Sequence, residues 1–120
     1  MIDTDAAELD QVFAALANKR RRQIVYALGL QPASIGQLAA GQQLSLPAIH
    51  RHIKVLEEAK LVVRKKSGRV NFLALNRPQL LLMQDWIQQY RAYWGTQQET
   101  LENYVASMER AEKPKERKSR

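Results

Sequence analysis

Apolar residues recur at helical spacing near the start of the chain. A face at positions i, i+3, i+4 and i+7 predicts an amphipathic helix over residues 5–17. The residues of that face are Leu9, Val12, Phe13 and Leu16. A second helix is predicted over residues 19–28, because Gly29 and Pro32 follow it.

Two short capped helices come next. Ser34, with a glutamine three residues later, has the pattern of a capping box and predicts a helix over residues 35–40, ended by Gly41. Ser45 is a second N-cap candidate and opens a helix predicted over residues 45–59. Two short helices joined by a brief turn indicate a helix-turn-helix.

A β-hairpin is predicted directly after these helices. Residues 61–66 are rich in strand-forming side chains and then turn basic, the pair Ser67-Gly68 is a turn signal, and residues 69–75 form the return strand. A basic hairpin after a helix-turn-helix is the layout of a winged helix, with residues 61–75 as the wing. The expected fold class is mainly α with a β-hairpin wing (α+β).

The last element has a heptad-like pattern. Its apolar positions alternate steps of three and four, which predicts a long dimerisation helix region over residues 77–111. Gly95 weakens this helix and predicts a kink or a break. Pro114 and its charged neighbours predict a disordered tail at residues 112–120.

Length and charge narrow the function. A chain of 120 residues fits one domain, which we place at residues 1–111. The net charge is +7, and the bases concentrate in residues 19–22 and 45–70. Such clusters are typical of proteins that bind polyanions, nucleic acid first. A solvated surface is the alternative explanation for any one cluster taken alone.

Several classes of protein are excluded. The chain has no cysteine, so it has no disulfide framework and no thiolate chemistry. No apolar run approaches the roughly 20 residues of a membrane span, and the acidic start does not resemble a secretory signal. No catalytic Ser/His/Asp or Cys/His set and no phosphate-binding glycine loop can be assembled. We therefore expect a cytoplasmic protein that is not an enzyme.

The helix over residues 45–59 has an outward face suited to reading bases. With Ile49 set inward, His50, Arg51 and Lys54 point outward or flank the outer face. Arg51 is suited to guanine and Lys54 to phosphate. The predicted DNA-binding residues of this recognition helix are Ser45, Leu46, Ala48, His50, Arg51 and Lys54.

Basic residues outside the recognition helix are predicted to contact the DNA backbone. In the wing, they would follow the flanking backbone or enter the minor groove. The wing residues are Arg64, Lys65, Lys66 and Arg69. Arg20 and Arg21 are further backbone candidates, although at least one arginine of this run could instead tie down a helix end.

A dimer interface is predicted where the first helix packs with the last, since large apolar and aromatic side chains suit such a surface. Its predicted residues are Leu9, Val12, Phe13, Leu16, Met83, Trp86, Ile87, Tyr90 and Trp94. A small hydrophobic ligand pocket between these helices is the alternative interpretation of the aromatic cluster.

Over nearly all its length the chain resembles the ArsR/SmtB family of winged helix-turn-helix repressors. The resemblance is carried by the stretches 15–24, 35–39 and 44–59, followed by the wing. It implies a homodimer that binds an imperfect palindrome at a promoter, usually as a repressor. Two departures stand out: Lys60 replaces a glycine common in the family, and His50 replaces a small polar residue.

Many members of that family sense metals, but the ligands they use are missing here. Cysteine is absent, and residues 77–120 contain no histidine. His50 and His52 point about 200° apart on a helix and cannot share one ion. We therefore expect no cofactor and no metal. The function hypothesis is a sequence-specific double-stranded DNA-binding regulator, with a low-specificity nucleoid-like binder or a winged-helix protein-interaction module as alternatives.

Overall fold

The computed structural model describes residues 3–94 and 101–118, with side chains described for residues 6–89 and 101–112. Within these ranges, no helix is long and apolar enough to cross a membrane. The elements are, in chain order, α1 (Asp3–Leu16), α2 (Lys19–Leu30), β1 (Ala33–Ser34), α3 (Ile35–Gln42), α4 (Leu46–Glu58), β2 (Val62–Ser67), β3 (Val70–Leu75), α5 (Arg77–Trp94) and α6 (Leu101–Lys118).

The helix starts follow the side chains that precede them. Ser34 accepts a hydrogen bond from the Gln37 N–H, and the Gln37 side chain accepts one from the Ser34 N–H, so the predicted capping box is confirmed. Ser45 caps α4 by accepting from the Ala48 N–H, with a proline in the first turn. These caps fix where the two helices of the helix-turn-helix begin.

Two helices end later than the sequence predicted. α2 continues through Gly29 to Leu30, and α3 continues through Gly41 to Gln42. The prediction was wrong because a glycine costs a helix only about 1 kcal/mol and does not stop it. The chain leaves α3 at Gln43, which adopts the left-handed conformation at φ 55.

The wing consists of β2 and β3, and β1 joins them in a three-stranded antiparallel sheet in the order β1-β3-β2. Ser67 pairs with Val70, which leaves a two-residue hairpin loop with Gly68 first, at φ +64. A positive φ at that position suits the type II′ loops that match the strand twist. The sequence pattern missed β1, because two residues are too few to show the alternation of a strand.

The core gathers one face from each of the first four helices and from the sheet. Its largest fully buried side chains are Val12, Ile24, Ile49, Ile53, Leu56, Leu61 and Leu73. The α4 residues among them confirm the predicted inward face of that helix. From α5, Leu80 and Met83 pack against the same core.

The last predicted element is described as two helices, α5 and α6. Gly95, the expected weak point, lies outside the described residues. α6 continues through Pro114 to Lys118, where the sequence predicted a disordered tail. A proline inside a helix removes one donor and crowds the carbonyl four residues earlier, at about 3 kcal/mol, and the flanking Glu, Lys and Arg residues offset this cost only in part. The chain divides into two compact units, Met1–Gln88 and Gln89–Arg120.

Candidate nucleic-acid interface

The outward face of α4 presents a group of polar side chains. His50, Arg51 and Lys54 are all exposed. The opposite face consists of Ile49, Ile53 and Leu56, each 0% exposed. Burial of that face against the core fixes the rotation of α4 about its axis, and so holds the three polar side chains toward solvent. The structure thereby brings together three of the predicted DNA-binding residues of the recognition helix.

The N-terminal turn of α4 adds three smaller side chains to this face. Ser45 is exposed while its Oγ accepts from the Ala48 N–H at 3.3 Å. Leu46 leaves 55% of its surface exposed, and Ala48 is half-buried. A helix N-terminus also carries partial positive charge, which favours nearby phosphate. This turn therefore combines an apolar contact with an anion-favouring end.

The wing presents bases on both faces of its hairpin. Lys65 lies opposite Phe72 and Lys66 lies opposite Asn71, and both lysines are exposed. Because neighbouring strand residues point to opposite faces, these two lysines project in different directions. Arg69, in the hairpin loop, is also exposed. The wing can therefore offer charge to a backbone from its tip and from either side.

Arg64 differs from the other wing bases because it has a partner within the chain. Its Nε and Nη2 donate to the two carboxylate oxygens of Glu57, at 3.0 and 2.9 Å. The two side chains are 32% and 30% exposed. Glu57 belongs to α4, so this paired contact joins the wing to the recognition helix. The sequence analysis predicted that Arg64 contacts DNA. It missed the bond to Glu57, which lies seven residues earlier in the chain.

The arginine run at the start of α2 binds the ends of other helices. Arg21 donates from Nε to the Ala15 carbonyl at 2.6 Å and from Nη2 to the Ala14 carbonyl. Arg22 donates to the Leu16 carbonyl at 2.9 Å. The alternative in which an arginine ties down a helix end is therefore confirmed for Arg21 and Arg22.

Arg20 makes the equivalent bond to α3. Its Nη1 donates to the Gln42 carbonyl at 2.8 Å, and Gln42 is the last residue of α3. The side chain stays exposed, so its remaining N–H groups face solvent. Arg20 thus holds the turn that leads into Ser45, and it remains a candidate for contact with the backbone of DNA.

Sequence reasoning missed three further residues that satisfy helix ends. Arg77 donates to the Gly29 carbonyl at 3.0 Å, at the end of α2. Asn76 and Gln79 donate to the carbonyls of Lys60 and Ala59 that follow α4. Each group fills an acceptor that a helix end leaves open. Their separation in sequence, from 16 to 48 residues, leaves no local pattern to find them by.

His52 lies at the edge of α4, half-buried. Burial lowers its pKa from the ordinary 6.5, and the positive charges of Arg21, Arg20 and Arg51 lower it further. A neutral imidazole at pH 7 therefore sits among three cations. This environment fits the expected packing role. In the described part of the chain, no group of three or more His, Cys, Asp or Glu side chains could hold a metal ion.

The predicted dimer residues divide into five groups. Val12 is 0% exposed, so it belongs to the core of its own protomer and has no surface to offer a partner. Phe13 and Trp86 meet edge to face, with ring centroids 5.7 Å apart. Ile87 leaves 50% of its surface exposed. The side chains of Tyr90 and Trp94 lie outside the described residues. The remaining three, all half-buried, are Leu9, Leu16 and Met83.

Two helices joined by a tight turn, with the second presenting a polar face and followed by a basic hairpin, define a winged helix-turn-helix. Residues 18–63 match the sequence profile described as "Bacterial regulatory protein, arsR family". Residues 18–63 therefore contain a helix-turn-helix that matches the ArsR family of bacterial regulatory proteins.

Known proteins support this assignment. The HTH-type transcriptional regulator Rv2034 of Mycobacterium tuberculosis is 41% identical over 59 residues, 49% of this chain and 55% of that protein. The chain spans about half the length of the curated relatives it matches.

Among solved structures, an ArsR-like transcriptional regulator from Rhodococcus sp. RHA1 superposes with a TM-score of 0.70 at 27% identity, covering 92% of this chain and 97% of that one. HlyU from Vibrio cholerae superposes with a TM-score of 0.60 at 25% identity, covering 78% and 100%. The predicted fold class is confirmed, and residues 18–63 match the predicted family.

Proposed function

We propose that this chain is a transcriptional regulator of the cytoplasm that binds double-stranded DNA by sequence. The observation that carries the proposal is the exposed group of His50, Arg51 and Lys54 on α4, with the basic wing fixed to the same helix through Glu57 and Arg64. One bidentate pair thus sets the position of the backbone-binding hairpin relative to the base-reading helix. Membership of the ArsR family supports the same role.

In this proposal the side chains divide the work of recognition. Arg51 binds guanine through two parallel hydrogen bonds, and His50 reads a neighbouring base or a phosphate. Leu46 and Ala48 contact thymine methyl groups, and Ser45 and Lys54 bind phosphate. Outside α4, the backbone contacts come from Lys65, Lys66, Arg69 and Arg20. Lysine and arginine release counterions from phosphate, so affinity falls steeply with salt.

We further propose a homodimer that binds an imperfect inverted repeat. α1 and α5 supply one exposed surface around Ile87. In the second unit, α6 carries a stripe at helical spacing whose members are 46–76% exposed. Those residues are Leu101, Tyr104, Val105 and Met108. Two-fold pairing would place the two recognition helices about one DNA turn apart, roughly 34–36 Å.

The regulator acts as a repressor without a metal in this proposal. Cysteine is absent from the whole sequence, and both histidines lie on α4, where they point apart. A dimer on an inverted repeat represses most simply by covering the site that RNA polymerase needs. No cofactor is part of this mechanism.

Selection of bound duplexes from a random DNA pool, at two salt concentrations, tests the proposal. We expect an enriched inverted repeat, with less bound DNA at the higher salt. Binding without enrichment would contradict sequence reading and favour a nucleoid-like role. An absence of binding even at low salt would overturn DNA binding itself and favour a winged helix that binds another protein.

A further inference from the structure

The outer face of α2 exposes two large apolar side chains. Tyr26 and Leu30 each leave 71% of their surface exposed, and they lie one helical turn apart. Their neighbours Ile24 and Leu28 point into the core. Single exposed apolar residues are common on proteins, but this pair borders a groove.

That groove runs between α2 and α3. Two cavities of about 530 and 490 Å³ share four lining residues, so they are adjoining parts of one groove. The shared residues are Ala27, Leu30, Gly41 and Gln42. Lys19 and Arg22 line one end, and Ala33 of β1 lies at the other. The groove follows α2 from Lys19 to Leu30, a length of about 16 Å.

Gly41 is part of the groove lining. It lies inside α3, where a Cβ at this position would meet no atom within 4 Å. Nothing in its backbone requires glycine, and glycine weakens a helix relative to alanine. The missing side chain therefore leaves space and an approachable backbone beside Leu30.

The charge of the groove has one sign. Lys19 and Arg22 stand at one end, and no acidic residue lines either cavity in the described chain. Arg22 donates from Nη1 to the Leu16 carbonyl, which holds its guanidinium in place while other N–H groups remain for a ligand. The complement of this surface is a segment with apolar residues facing the groove and acidic residues that reach its basic end.

We propose that this groove docks an amphipathic, acidic helix of a partner protein. Apolar residues of that helix pack on Tyr26 and Leu30 above Gly41, and its carboxylates meet Lys19 and Arg22. The occupant is a protein segment because the groove is open along its length, whereas sites for small molecules enclose most of the ligand. His50, Arg51 and Lys54 do not line it. The function therefore adds to DNA binding and does not depend on it.

An NMR titration of the full chain with synthetic peptides tests this proposal. The first probe is a helix of about four turns, with leucine at one face and glutamate elsewhere. The second replaces each glutamate by lysine, and the third replaces each leucine by serine. At physiological salt we expect only the first peptide to shift the backbone signals of Tyr26, Leu30 and Gly41 in a saturable manner.

Two matched variants of α3 distinguish peptide binding in the groove from non-specific electrostatic attraction to a basic protein. Gly41→Gln places a side chain in the groove and is a good helix former, so we expect this variant to fold. We expect it to bind the acidic peptide at least about tenfold more weakly than the wild type. Ala40→Gln changes the exposed neighbouring position, which does not line the groove, and should bind like the wild type.

Several results would overturn the proposal. They are equal binding of the acidic and lysine peptides, shifts confined to the wing or α4, and no saturation with any peptide. A change of oligomeric state in Gly41→Gln would identify the groove as a contact between copies of the chain. The same shifts produced by duplex DNA would assign the groove to the nucleic-acid surface.

Discussion

Two residues other than glycine adopt the left-handed backbone conformation where the helices of the helix-turn-helix end. Gln43 at φ 55 follows α3, and Lys60 at φ 63 follows α4. At each end, the N–H groups of the left-handed residue and of the residue after it donate to carbonyls of the preceding helix. After α4, Lys60 donates to Glu57 and Leu61 donates to Leu56, both at 2.9 Å. This is the Schellman arrangement, in which glycine is usual. Non-glycine residues bear strain there because their Cβ crowds the backbone.

Replacing the strained lysine by glycine should stabilise the protein. We expect Lys60→Gly to raise the free energy of unfolding by about 0.5–1 kcal/mol, since relief of strain exceeds the added freedom of the unfolded chain. Chemical denaturation at fixed protein concentration measures this change. Lys60→Ala is the control, because it keeps the strain and removes only the 3.8 Å contact with Glu8. If both variants behave alike, the strain argument is wrong.

His52 should make stability depend on pH. Its pKa is lowered by burial and by three arginines, so the unfolded state binds the proton more readily. The stability it contributes is present above pH 6.5 and is lost as pH falls through the lowered pKa. NMR titration of the His52 ring should give a midpoint below 6.5, and His52→Gln should flatten the decline of stability on acidification. A midpoint at or above 6.5 would contradict this explanation.

At the scale of elements, polar side chains from distant positions fill the open carbonyls at the helix ends. Arg21 and Arg22 bind the end of α1, Arg20 binds the end of α3, and Arg77 binds the end of α2. The basic run that suggested a polyanion partner therefore also joins the helices to one another. Charge alone could not separate these two roles, since both require exposed or half-buried arginine.

Loss of one such tie should lower stability. Arg21→Leu removes donors to Ala14 and Ala15, and charged hydrogen bonds of this kind contribute about 2 kcal/mol. We expect a loss of that size in the free energy of unfolding. Lys19→Leu, an exposed change on the same helix, should stay within about 0.5 kcal/mol of the wild type. Equal losses in the two variants would show that the carbonyl bonds of Arg21 do not stabilise α1.

The wing bases differ in their contacts within the chain. Lys65 projects to solvent, so Lys65→Ala should lower the slope of log affinity against log salt by about one unit. Arg64 is held by Glu57, so Arg64→Ala should weaken binding by loosening the wing while leaving that slope unchanged. Fluorescence anisotropy across a salt series measures both. A slope that falls as much in Arg64→Ala as in Lys65→Ala would place Arg64 on phosphate.

Local chemistry explains which elements could be predicted from sequence. Ser34 and Ser45 set the helix starts through neighbouring residues, and the periodicity of α4 identified its buried face. The strand β1 could not be predicted, because its pairing with β3 joins residues nearly 40 positions apart. The bond between Arg64 and Glu57 spans only seven positions, but it joins a strand to a helix, and no local pattern shows such a contact. Periodicity therefore identifies the longer helices and strands, but it does not show the contacts between them.

At the scale of the whole molecule, the proposed dimer depends on the surface of α5. Ile87 and Leu81 are similarly exposed, at 50% and 49%, but six residues apart they lie on different faces of that helix. We expect Ile87→Glu to give a folded monomer in sedimentation, with weaker DNA binding because the two half-sites are no longer linked. Leu81→Glu should remain a dimer. A dimeric Ile87→Glu variant would move the interface elsewhere.

The central claim is that the outward face of α4 reads bases. Repeating the DNA selection with Arg51→Ala tests it most directly, because this change removes the one side chain suited to bidentate contact with guanine. We expect the selected repeat to persist but to lose its guanine preference at one position in each half-site, at a cost of about 1–3 kcal/mol per contact. An unchanged selected sequence would contradict the account, and α4 would not be the reading helix.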